Sequence, residues 1–379
     1  MSRLTLGVFG TSRKENERRL PIHPRHLDAI DVQLRSSILV EEGYGSHFGT
    51  SKDALAAVAG GVRSQRELVE ECDVLLLPKP LAADLAEMRP GQVLWGWPHC
   101  VQDAALTQQA IDRRLTLIAW EAMNHWNDDG TFGIHVFHKN NELAGYCSVL
   151  HALQLAGRTG HYGPPLKAAV ISFGATGRGA VTALNALGIF DVTVATHREP
   201  AAVASPPHSA TLVQFGRSAD APVVTIGSDE VPMAAFLAEH DVVVNCVLQD
   251  PDDPYMFVTY EDLRSFTPGS SIVDVSCDAG MGFEWARPTS FEEPAFEVGD
   301  GVRYYAVDHS PSFLWDAATW EISEALLPYL PVVMGGPEAW ETDATIARAI
   351  EIRDGVVVNP KILSFQDRAA DYPHALLTR

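Results

Sequence analysis

Ionisable side chains stand at the ends of several apolar segments, where buried strands are predicted to finish. Six of them are candidates for chemistry: Glu17, Arg19, Lys79, His99, Glu121 and Asp278. Histidine suits proton transfer near neutral pH at its ordinary pKa, whereas lysine does so only when burial or a nearby charge lowers its pKa. Carboxyl and guanidinium groups beside them can hold charged substrate groups. We therefore expect one site that combines acid–base chemistry with binding of a polar small molecule.

The placement of these residues along the chain supports a shared site. Glu17 and Arg19 follow the apolar segment LTLGVFG, Lys79 lies between two prolines after LLL, and His99 follows the tryptophan-rich WGWP. Glu121 follows LIAW. The carboxyl ends of parallel strands meet at one edge of a sheet, where ligands bind in such folds. Taken singly, Lys79 and Arg19 would be surface ion-pair partners, and His99 a partly buried histidine with a hydrogen-bond partner.

Strand-like apolar segments alternate with helical segments along most of the chain. One series of strands ends before a long helix predicted over residues 140–157, and a second series starts at LKAAVISFG. Another long helix is predicted over residues 315–330, and a surface loop over 199–210. This alternation is typical of parallel sheets with helices on both faces. We predict an α/β fold with two doubly wound Rossmann-like domains, a cleft between them, and the two long helices joining them.

The segment AVISFGATGRGAVTALNALG has the order of a dinucleotide-binding turn, since an apolar strand meets a glycine-rich turn that opens a helix. Gly174 would make the tight turn, and Gly179 would let the helix pack on the strand. Thr176 replaces the usual middle glycine, but Gly177 and the helix N-terminus could hold a pyrophosphate. The predicted contacts from this turn are Gly174, Ala175, Thr176, Gly177 and Gly179. The alternative is a glycine-rich turn that binds no ligand.

The following strand, DVTVAT, bears on the choice of cofactor. NAD sites usually place Asp or Glu at the end of this strand to bind the ribose hydroxyls. Here the strand ends in Thr196, and Arg198 follows. Because arginine binds a phosphate bidentately whereas a carboxylate would repel it, we expect NADP(H) rather than NAD(H). The alternative is that Arg198 is an ordinary loop residue. The predicted domains are 1–139 with 316–379 for the substrate, and 140–315 for NADP(H).

Composition argues against several other classes of protein. A chain of 379 residues is too long for one ordinary core. Its formal net charge of −21 argues against nucleic acid and anionic membranes as partners. No apolar run approaches the ~20 residues of a membrane span. The five cysteines form no CxxC pair, so we expect no disulfide framework and no metal site, and we expect the reducing cytoplasm as the location.

Longer motifs carry a resemblance to a known family. KENERRLPIHP, EEGYGSHFG, LLLPKP, WGWPHCVQ, the 174–179 turn and DVSCD are similar to the alanine dehydrogenase and saccharopine dehydrogenase (lysine-forming) superfamily, over almost the whole chain. Within it, AWEAMNHW, HVFHKNNELAGYCSVLHALQLAG and YYAVDHSPSFLW resemble the N5-(carboxyethyl)ornithine synthase family more closely. The resemblance implies an opine-type reductase acting on small molecules, and a homo-oligomer.

The resemblance also implies roles for the candidate residues. Arg19 resembles the arginine that binds a substrate carboxylate, with Glu17 as its neighbouring acid. Lys79 and His99 resemble the acid–base pair, and either could transfer the protons or polarise the carbonyl. Glu121 resembles the residue that tunes their pKa values. Asp278 resembles the aspartate near the nicotinamide.

The expected activity is an NADP(H)-dependent reductive condensation. A 2-oxo acid such as pyruvate would join the side-chain amine of ornithine or lysine through an imine, giving an N-(carboxyethyl) amino acid. The alternatives are an alanine dehydrogenase-like reaction, a saccharopine-type reaction with 2-oxoglutarate, and a biosynthetic reductase with an unusual amine. A nucleotide-binding subunit without activity is the alternative from another class of protein.

Overall fold

The computed structural model describes residues 3–198, 210–219 and 221–377, so the predicted loop over 199–210 lies almost entirely outside the described residues. The chain forms two compact units, Met1–His138 with Trp315–Arg379 and Lys139–Leu314. Among the helices of the described residues, none has the length and apolar character needed to cross a membrane.

The N-terminal part of the first unit alternates strands and helices. Its strands are β1 (Leu6–Val8), β2 (Ile38–Glu41), β3 (Gly61–Arg63), β4 (Val74–Leu76), β5 (Val93–Gly96), β6 (Thr116–Ala119), β7 (Asn124–Trp126) and β8 (Phe132–His135). Its α-helices are α1 (Val32–Arg35), α2 (Lys52–Val58), α3 (Gln65–Glu71), α4 (Ala82–Glu87) and α5 (Ala104–Asp112). Short 3-10 helices lie at Pro24–Ala29, Ser46–Phe48 and Trp120–Ala122.

The second unit begins with the long helix predicted from the sequence, although the first residue of that helix, His138, belongs to the first unit. Its helices are α6 (His138–Leu155), α7 (Ala175–Ala186) and α8 (Met233–Ala238). Its strands are β9 (Lys167–Ile171), β10 (Asp191–Thr196), β11 (Thr211–Ser218), β12 (Ala221–Ile226), β13 (Asp229–Pro232), β14 (Val242–Asn245), β15 (Met256–Val258), β16 (Ser271–Asp274), β17 (Gly282–Phe283), β18 (Ala295–Val298) and β19 (Val302–Tyr305). Short 3-10 helices lie at Asp262–Ser265 and Ser310–Leu314.

The C-terminal part returns to the first unit and completes its sheet. Its elements are α9 (Trp315–Leu326), a 3-10 turn (Leu327–Tyr329), α10 (Leu330–Met334), α11 (Pro337–Thr342), α12 (Ala344–Ala349), β20 (Ile350–Arg353), β21 (Val356–Val357) and α13 (Pro360–Phe365). The helix predicted over 315–330 therefore breaks into α9 and a 3-10 turn before α10. Pro328 lies in that turn, where its ring interrupts regular helical hydrogen bonding.

The sheet of the first unit has the strand order β21-β20-β6-β5-β4-β1-β2-β3. From β6 to β3 the neighbouring strands are parallel, so their carboxyl ends lie along one edge. Buried apolar side chains cover both faces, which explains the continuous apolar runs in these strands. The strands β20 and β21 pair antiparallel, so this edge differs from the predicted all-parallel sheet.

The sheet of the second unit has the order β13-β12-β11-β10-β9-β14-β16-β19-β18 and is parallel only in its middle. The strand predicted around residues 223–227 is β12, which pairs antiparallel with β11 and β13. Gly227, with φ +64, and Ser228 form the two-residue turn between β12 and β13. A parallel connection needs a crossover of a dozen or more residues, and this segment is too short for one.

Candidate active site

The charged stretch after β1 follows an irregular path that contacts within the first unit hold in place. The backbone N–H of Leu20 donates to the hydroxyl of Thr319 at 2.9 Å. The Ser12 hydroxyl donates to the carbonyl of Lys79 at 3.2 Å. The first bond ties the segment that carries Arg19 to α9, and the second ties it to the loop that carries Lys79, as expected for residues that follow neighbouring strands.

Arg19 and Glu17 form a buried ion pair. Glu17 Oε1 accepts hydrogen bonds from Nε of Arg19 at 2.8 Å and from its backbone N–H at 2.9 Å, and Oε2 accepts from Nη2. The two side chains are only 2% and 1% exposed. The guanidinium also lies 5.1 Å from the ring centre of Trp97, a cation–π contact. Charge and orientation of Arg19 are therefore fixed by an acid and an aromatic ring.

Lys79 and His99 meet at the carboxyl ends of β4 and β5. Gly96 allows this approach, because a Cβ there would lie 2.0 Å from the carbonyl oxygen of Leu77. The Nζ atom of Lys79 is 2.8 Å from Nε2 of His99. A hydrogen bond needs one donor and one acceptor, so the pair carries at most one positive charge while this bond exists. Such a pair can pass a proton between its two nitrogens.

Glu121 contacts both the backbone and the ring of His99. Its Oε1 accepts a hydrogen bond from the backbone N–H of His99 at 2.7 Å and lies 3.9 Å from Nδ1 of the ring. His99 has φ +48, a left-handed conformation that costs of order 1 kcal/mol or more in a residue other than glycine. The hydrogen bond to Glu121 offsets part of this cost and fixes where the imidazole lies.

The surroundings of Glu121 keep its carboxyl group neutral. Burial and, next, the nearby carboxyl of Glu351 raise the pKa of Glu121 to about 8, while backbone hydrogen bonds and Lys79 act in the opposite direction. The backbone carbonyl of Glu121 is 3.2 Å from Nε2 of His135, whose pKa burial lowers to about 4. Glu351 and His135 are members of this cluster that the sequence did not predict.

Asp278 lies in the second unit, in a turn after β16. The sequence suggested that Asp278 ends this strand, but β16 ends at Asp274. Asp274 is fully buried and accepts hydrogen bonds from the Tyr304 hydroxyl at 2.6 Å and the Asn245 amide at 2.9 Å, so it has a structural role. Asp278 is half-buried, and burial raises its pKa to about 6.

The glycine-rich turn lies between β9 and α7, as the sequence predicted. Gly174 is the residue before α7, makes no side-chain cap and has open space where a Cβ would stand. The first N–H groups of a helix need a partner, and an anion such as a phosphate can supply it. The geometry of the turn therefore fits a pyrophosphate, which Ala175 and Thr176 would also contact.

The other two glycines of the turn serve close packing. A Cβ on Gly177 would lie 2.4 Å from the carbonyl oxygen of Ser172, next to β9. A Cβ on Gly179 would lie 1.8 Å from the carbonyl oxygen of Glu142 in α6. Gly179 thus permits packing of helix on helix, whereas the sequence suggested helix on strand. A Cβ on Gly177 would also lie 3.8 Å from the side chain of Val170 in β9.

Arg198 is tied to the same turn. Its backbone N–H donates to the hydroxyl of buried Thr196 at 3.3 Å, and Nη2 donates to the carbonyl of Phe173 at 2.8 Å. The guanidinium of Arg198 therefore lies beside the glycine-rich turn, at the end of a strand that has no acid there. The exposed side chain of Arg198 remains accessible to a ligand.

Two glycine substitutions distinguish a glycine that is needed for helix packing from one that has open space around it. Gly179→Ala is expected to destabilise the protein by about 1–3 kcal/mol or more, because its Cβ overlaps a backbone carbonyl. Gly174→Ala is the matched control, because φ is −85 and the added methyl meets no atom, so stability should change by less than about 0.5 kcal/mol. Urea unfolding of both variants measures this, and equal stabilities would contradict the packing assigned to Gly179.

Comparison with known proteins gives the family. The family model "Alanine dehydrogenase/PNT, C-terminal domain" matches residues 157–360, and "Alanine dehydrogenase/PNT, N-terminal domain" matches residues 11–134. The chain belongs to the alanine dehydrogenase/PNT family. Members of this family use a nicotinamide cofactor, and the relatives below are oxidoreductases that act on CH–NH groups.

Individual relatives of two kinds are similar to this member of the alanine dehydrogenase/PNT family. Alanine dehydrogenase of Geobacillus stearothermophilus is 27% identical over 384 residues, covering 96% of this chain and 97% of the relative. N(5)-(carboxyethyl)ornithine synthase of Clostridium botulinum is 24% identical over 324 residues, covering 82% and 89%. A solved structure titled L-alanine dehydrogenase superposes with a TM-score of 0.73 at 22% identity, covering 96% of this chain and 99% of that chain.

These similarities confirm the superfamily predicted from the motifs and the fold of two Rossmann-like α/β domains. The two kinds of relatives have comparable identities, so the closer resemblance to the synthases stays a prediction. The roles of all the candidate catalytic, substrate-binding and cofactor-binding residues, Glu121 included, and the preference for NADP(H) also remain predictions.

Proposed function

We propose that this chain is an NADP(H)-dependent opine-type reductase. It would condense a 2-oxo acid such as pyruvate with the side-chain amine of ornithine or lysine and reduce the resulting imine to an N-(carboxyethyl) amino acid. The observation that carries the proposal is the 2.8 Å contact between Lys79 and His99, with Glu121 behind it. Imine formation needs protons moved on and off nitrogen and oxygen, and this pair is suited to that task.

The reaction needs a carbonyl that is polarised and a hydroxyl that leaves as water. The amine nitrogen attacks C2 of the oxo acid, with Lys79 stabilising the charge that develops on the carbonyl oxygen. His99 takes a proton from the nitrogen, and the oxyanion takes one from Lys79 to become the hydroxyl of the carbinolamine. The proton held by His99 then passes to that hydroxyl, which departs as water. Lys79 and His99 could exchange these tasks, because they share one proton.

Arg19 would bind the carboxylate of the oxo acid. Glu17 accepts hydrogen bonds from Nε and Nη2 of the guanidinium and so fixes the orientation in which Arg19 would meet the substrate. Trp97, which contacts Arg19, also links it to the acid–base pair, because the backbone N–H of Trp97 donates to the carbonyl of Pro78, the residue before Lys79, at 2.9 Å. Arg19 thereby fixes the oxo acid relative to Lys79.

The residues proposed to hold NADP(H) are the glycine-rich turn with α7, together with Thr196 and Arg198. The N–H groups at the start of α7 would bind the pyrophosphate, and Arg198 would bind the 2′-phosphate. When bound, NADPH supplies the hydride for the imine carbon. The absence of an acid at the end of β10 supports NADP(H) over NAD(H). Asp278 is proposed as the acid near the nicotinamide.

A reaction with ammonia, as in alanine dehydrogenases, is the second candidate. The 27% identity to alanine dehydrogenase of Geobacillus stearothermophilus favours it. The two candidates differ in the amine, so initial rates of NADPH oxidation with pyruvate separate them. The proposal predicts a rate that depends on added ornithine or lysine. A rate with ammonia that diamino acids do not increase would favour the second candidate.

Arg19→Ala tests the carboxylate site. The Michaelis constant for the oxo acid should rise by roughly 10- to 100-fold, because a charge-assisted bidentate contact is lost, whereas that for NADPH should stay the same. The variant leaves the buried charge of Glu17 without the Arg19 guanidinium, which destabilises the fold. The double variant Glu17→Gln with Arg19→Ala removes that charge and serves as the control. An effect confined to NADPH would remove Arg19 from substrate binding.

A further inference from the structure

Glu351 is a buried acid in a strand whose residue types alternate between apolar and charged. It lies in β20 within the alternating sequence IEIR, yet it is only 5% exposed. The pairing of β20 with β6 is irregular between Ile350 and Ile352, so Glu351 stands at a bulge. A bulge redirects a side chain and is common beside active sites. Here the bulge accompanies the buried carboxyl of Glu351, which lies next to β6, the strand that precedes Glu121.

The carboxyls of Glu351 and Glu121 each have one oxygen that lacks a partner. Glu351 Oε1 accepts from the side-chain amide of Asn359 at 3.0 Å, and Glu121 Oε1 accepts from the backbone of His99 at 2.7 Å. The Oε2 atoms of both residues are buried and have no hydrogen-bond partner within the described residues. A buried polar atom without a partner costs free energy of about 1–3 kcal/mol. Two carboxylate oxygens cannot satisfy each other, because both only accept.

One proton resolves this conflict. A protonated carboxyl donates, so a proton held between the two Oε2 atoms, directly or through one bridging water, would satisfy both oxygens. It would also reduce the charge of the buried pair from two to one, as is known for neighbouring carboxyls.

The ionisable groups around the pair are few and are all in the first unit. Lys79 and His99 face Glu121 from the loops after β4 and β5, and His135 contacts its backbone carbonyl. The thiol of Cys100 faces both acids, and burial raises its pKa well above the ordinary value, so it is neutral. Burial and the Glu351 carboxyl thus promote proton uptake by Glu121, whereas backbone hydrogen bonds to its carboxyl and, to a smaller extent, Lys79 oppose it.

We propose that Glu121 and Glu351 hold one proton between them, and that Glu351 acts through Glu121 as a positioning residue for His99. Glu351 keeps Glu121 neutral, so that the proton of the Lys79–His99 pair is not drawn towards a carboxylate 3.9 Å from Nδ1 of His99. This deepens the proposed function and rests on it for the consequence in catalysis. The shared proton itself does not depend on any substrate.

The shared proton is tested by the pH dependence of folding stability. An acid whose folded pKa is raised, to about 8 for Glu121, binds more protons when folded, so it makes stability fall as pH rises from about 4.5 to 8. Glu351→Gln should weaken this fall, and Glu121→Gln should do the same. Because one proton serves both acids, each single change should remove more than half of the effect of the double change. Glu338→Gln, an exposed acid in α11, is the control.

The pH profile of catalysis gives the second readout. In Glu351→Gln, the pKa of Glu121 is lower, so a larger fraction of Glu121 is ionised at neutral pH and stabilises the protonated form of His99. The acidic limb of kcat/KM should therefore move to higher pH by about one unit, with little change in the Michaelis constant for NADPH.

Several results would overturn the proposal. No proton is shared if the stability of Glu351→Gln and Glu121→Gln depends on pH as in the wild type. The same conclusion follows if the effects of the two single changes on this pH dependence sum to the effect of the double change. If Glu351→Gln does not fold, the Glu121→Gln curve decides alone, since an unchanged slope contradicts the proposal. If Glu351→Gln weakens the pH dependence of stability but leaves the acidic limb of kcat/KM unmoved, the shared proton is supported and the action of Glu351 on His99 is contradicted. The stability measurements test the shared proton even if the chain shows no reductase activity, so failure of the proposed function and failure of this proposal can be told apart.

Discussion

Turnover of the His99→Gln variant is expected to fall by roughly 10²- to 10⁴-fold, the range typical for loss of a general acid–base group. Glutamine can fill the space of the imidazole and hydrogen-bond to Lys79, but it cannot carry the proton. Binding of NADPH should stay the same, because the proposed cofactor contacts all lie in the second unit. Steady-state rates with pyruvate and ornithine, together with a fluorescence titration of NADPH, measure the two quantities.

Two further variants make this test specific. His99 has φ +48, so His99→Asn is a useful companion because asparagine tolerates the left-handed conformation well. His47→Gln changes an exposed histidine of the same unit and should leave turnover unchanged. Near-normal turnover in both His99 variants would assign the proton transfers to Lys79.

Arg198→Ala should weaken NADPH binding by about 100-fold while the binding of NADH changes little. The 2′-phosphate distinguishes the two cofactors, and a charge-assisted contact to phosphate accounts for a difference of this size. The variant also removes the bond from Nη2 to the carbonyl of Phe173, which affects both cofactors equally. The ratio of the two dissociation constants therefore isolates the phosphate contact.

Arg264→Ala is the matched control, because Arg264 is an exposed arginine of the same unit in the 3-10 helix Asp262–Ser265. It should leave the ratio of dissociation constants unchanged. Equal losses of NADPH and NADH in Arg198→Ala would show that Arg198 holds the turn in shape and does not recognise the 2′-phosphate.

Strand ends could be predicted because continuous apolar runs mark buried parallel strands. The runs before Lys79, His99 and Glu121 end where β4, β5 and β6 end, or within a few residues of it. Parallel pairing then brings the three side chains to one edge, and no long-range information is needed beyond the direction of the strands.

Glu351 could not be predicted because its role depends on pairing between distant parts of the chain. The alternation IEIR predicts an exposed glutamate, and only the antiparallel pairing of β20 with β6, with its irregular register, buries it. The same limit applies to β12. Its apolar pattern predicts a strand correctly, but the direction follows from the short turn at Gly227, which pattern alone does not reveal.

The two acids at and after the end of β16 show a third limit. Asp274 and Asp278 both follow apolar residues in SIVDVSCD, and either could end the strand by pattern. The hydroxyl of Tyr304 and the amide of Asn245 decide the matter, because they hold Asp274 in the interior and leave Asp278 in the turn beyond. Hydrogen-bond partners from other strands cannot be read from the local sequence.

The mass of the product formed from pyruvate and NADPH tests the central claim most directly. The protein would be incubated with ammonia, alanine, ornithine, lysine or shorter diamino acids, and each product mass recorded. The account predicts an N-(carboxyethyl) adduct of a diamino acid, whose mass equals the sum of the two substrates less one water plus two hydrogens. Alanine from ammonia and pyruvate, with no adduct from any diamino acid, would contradict it.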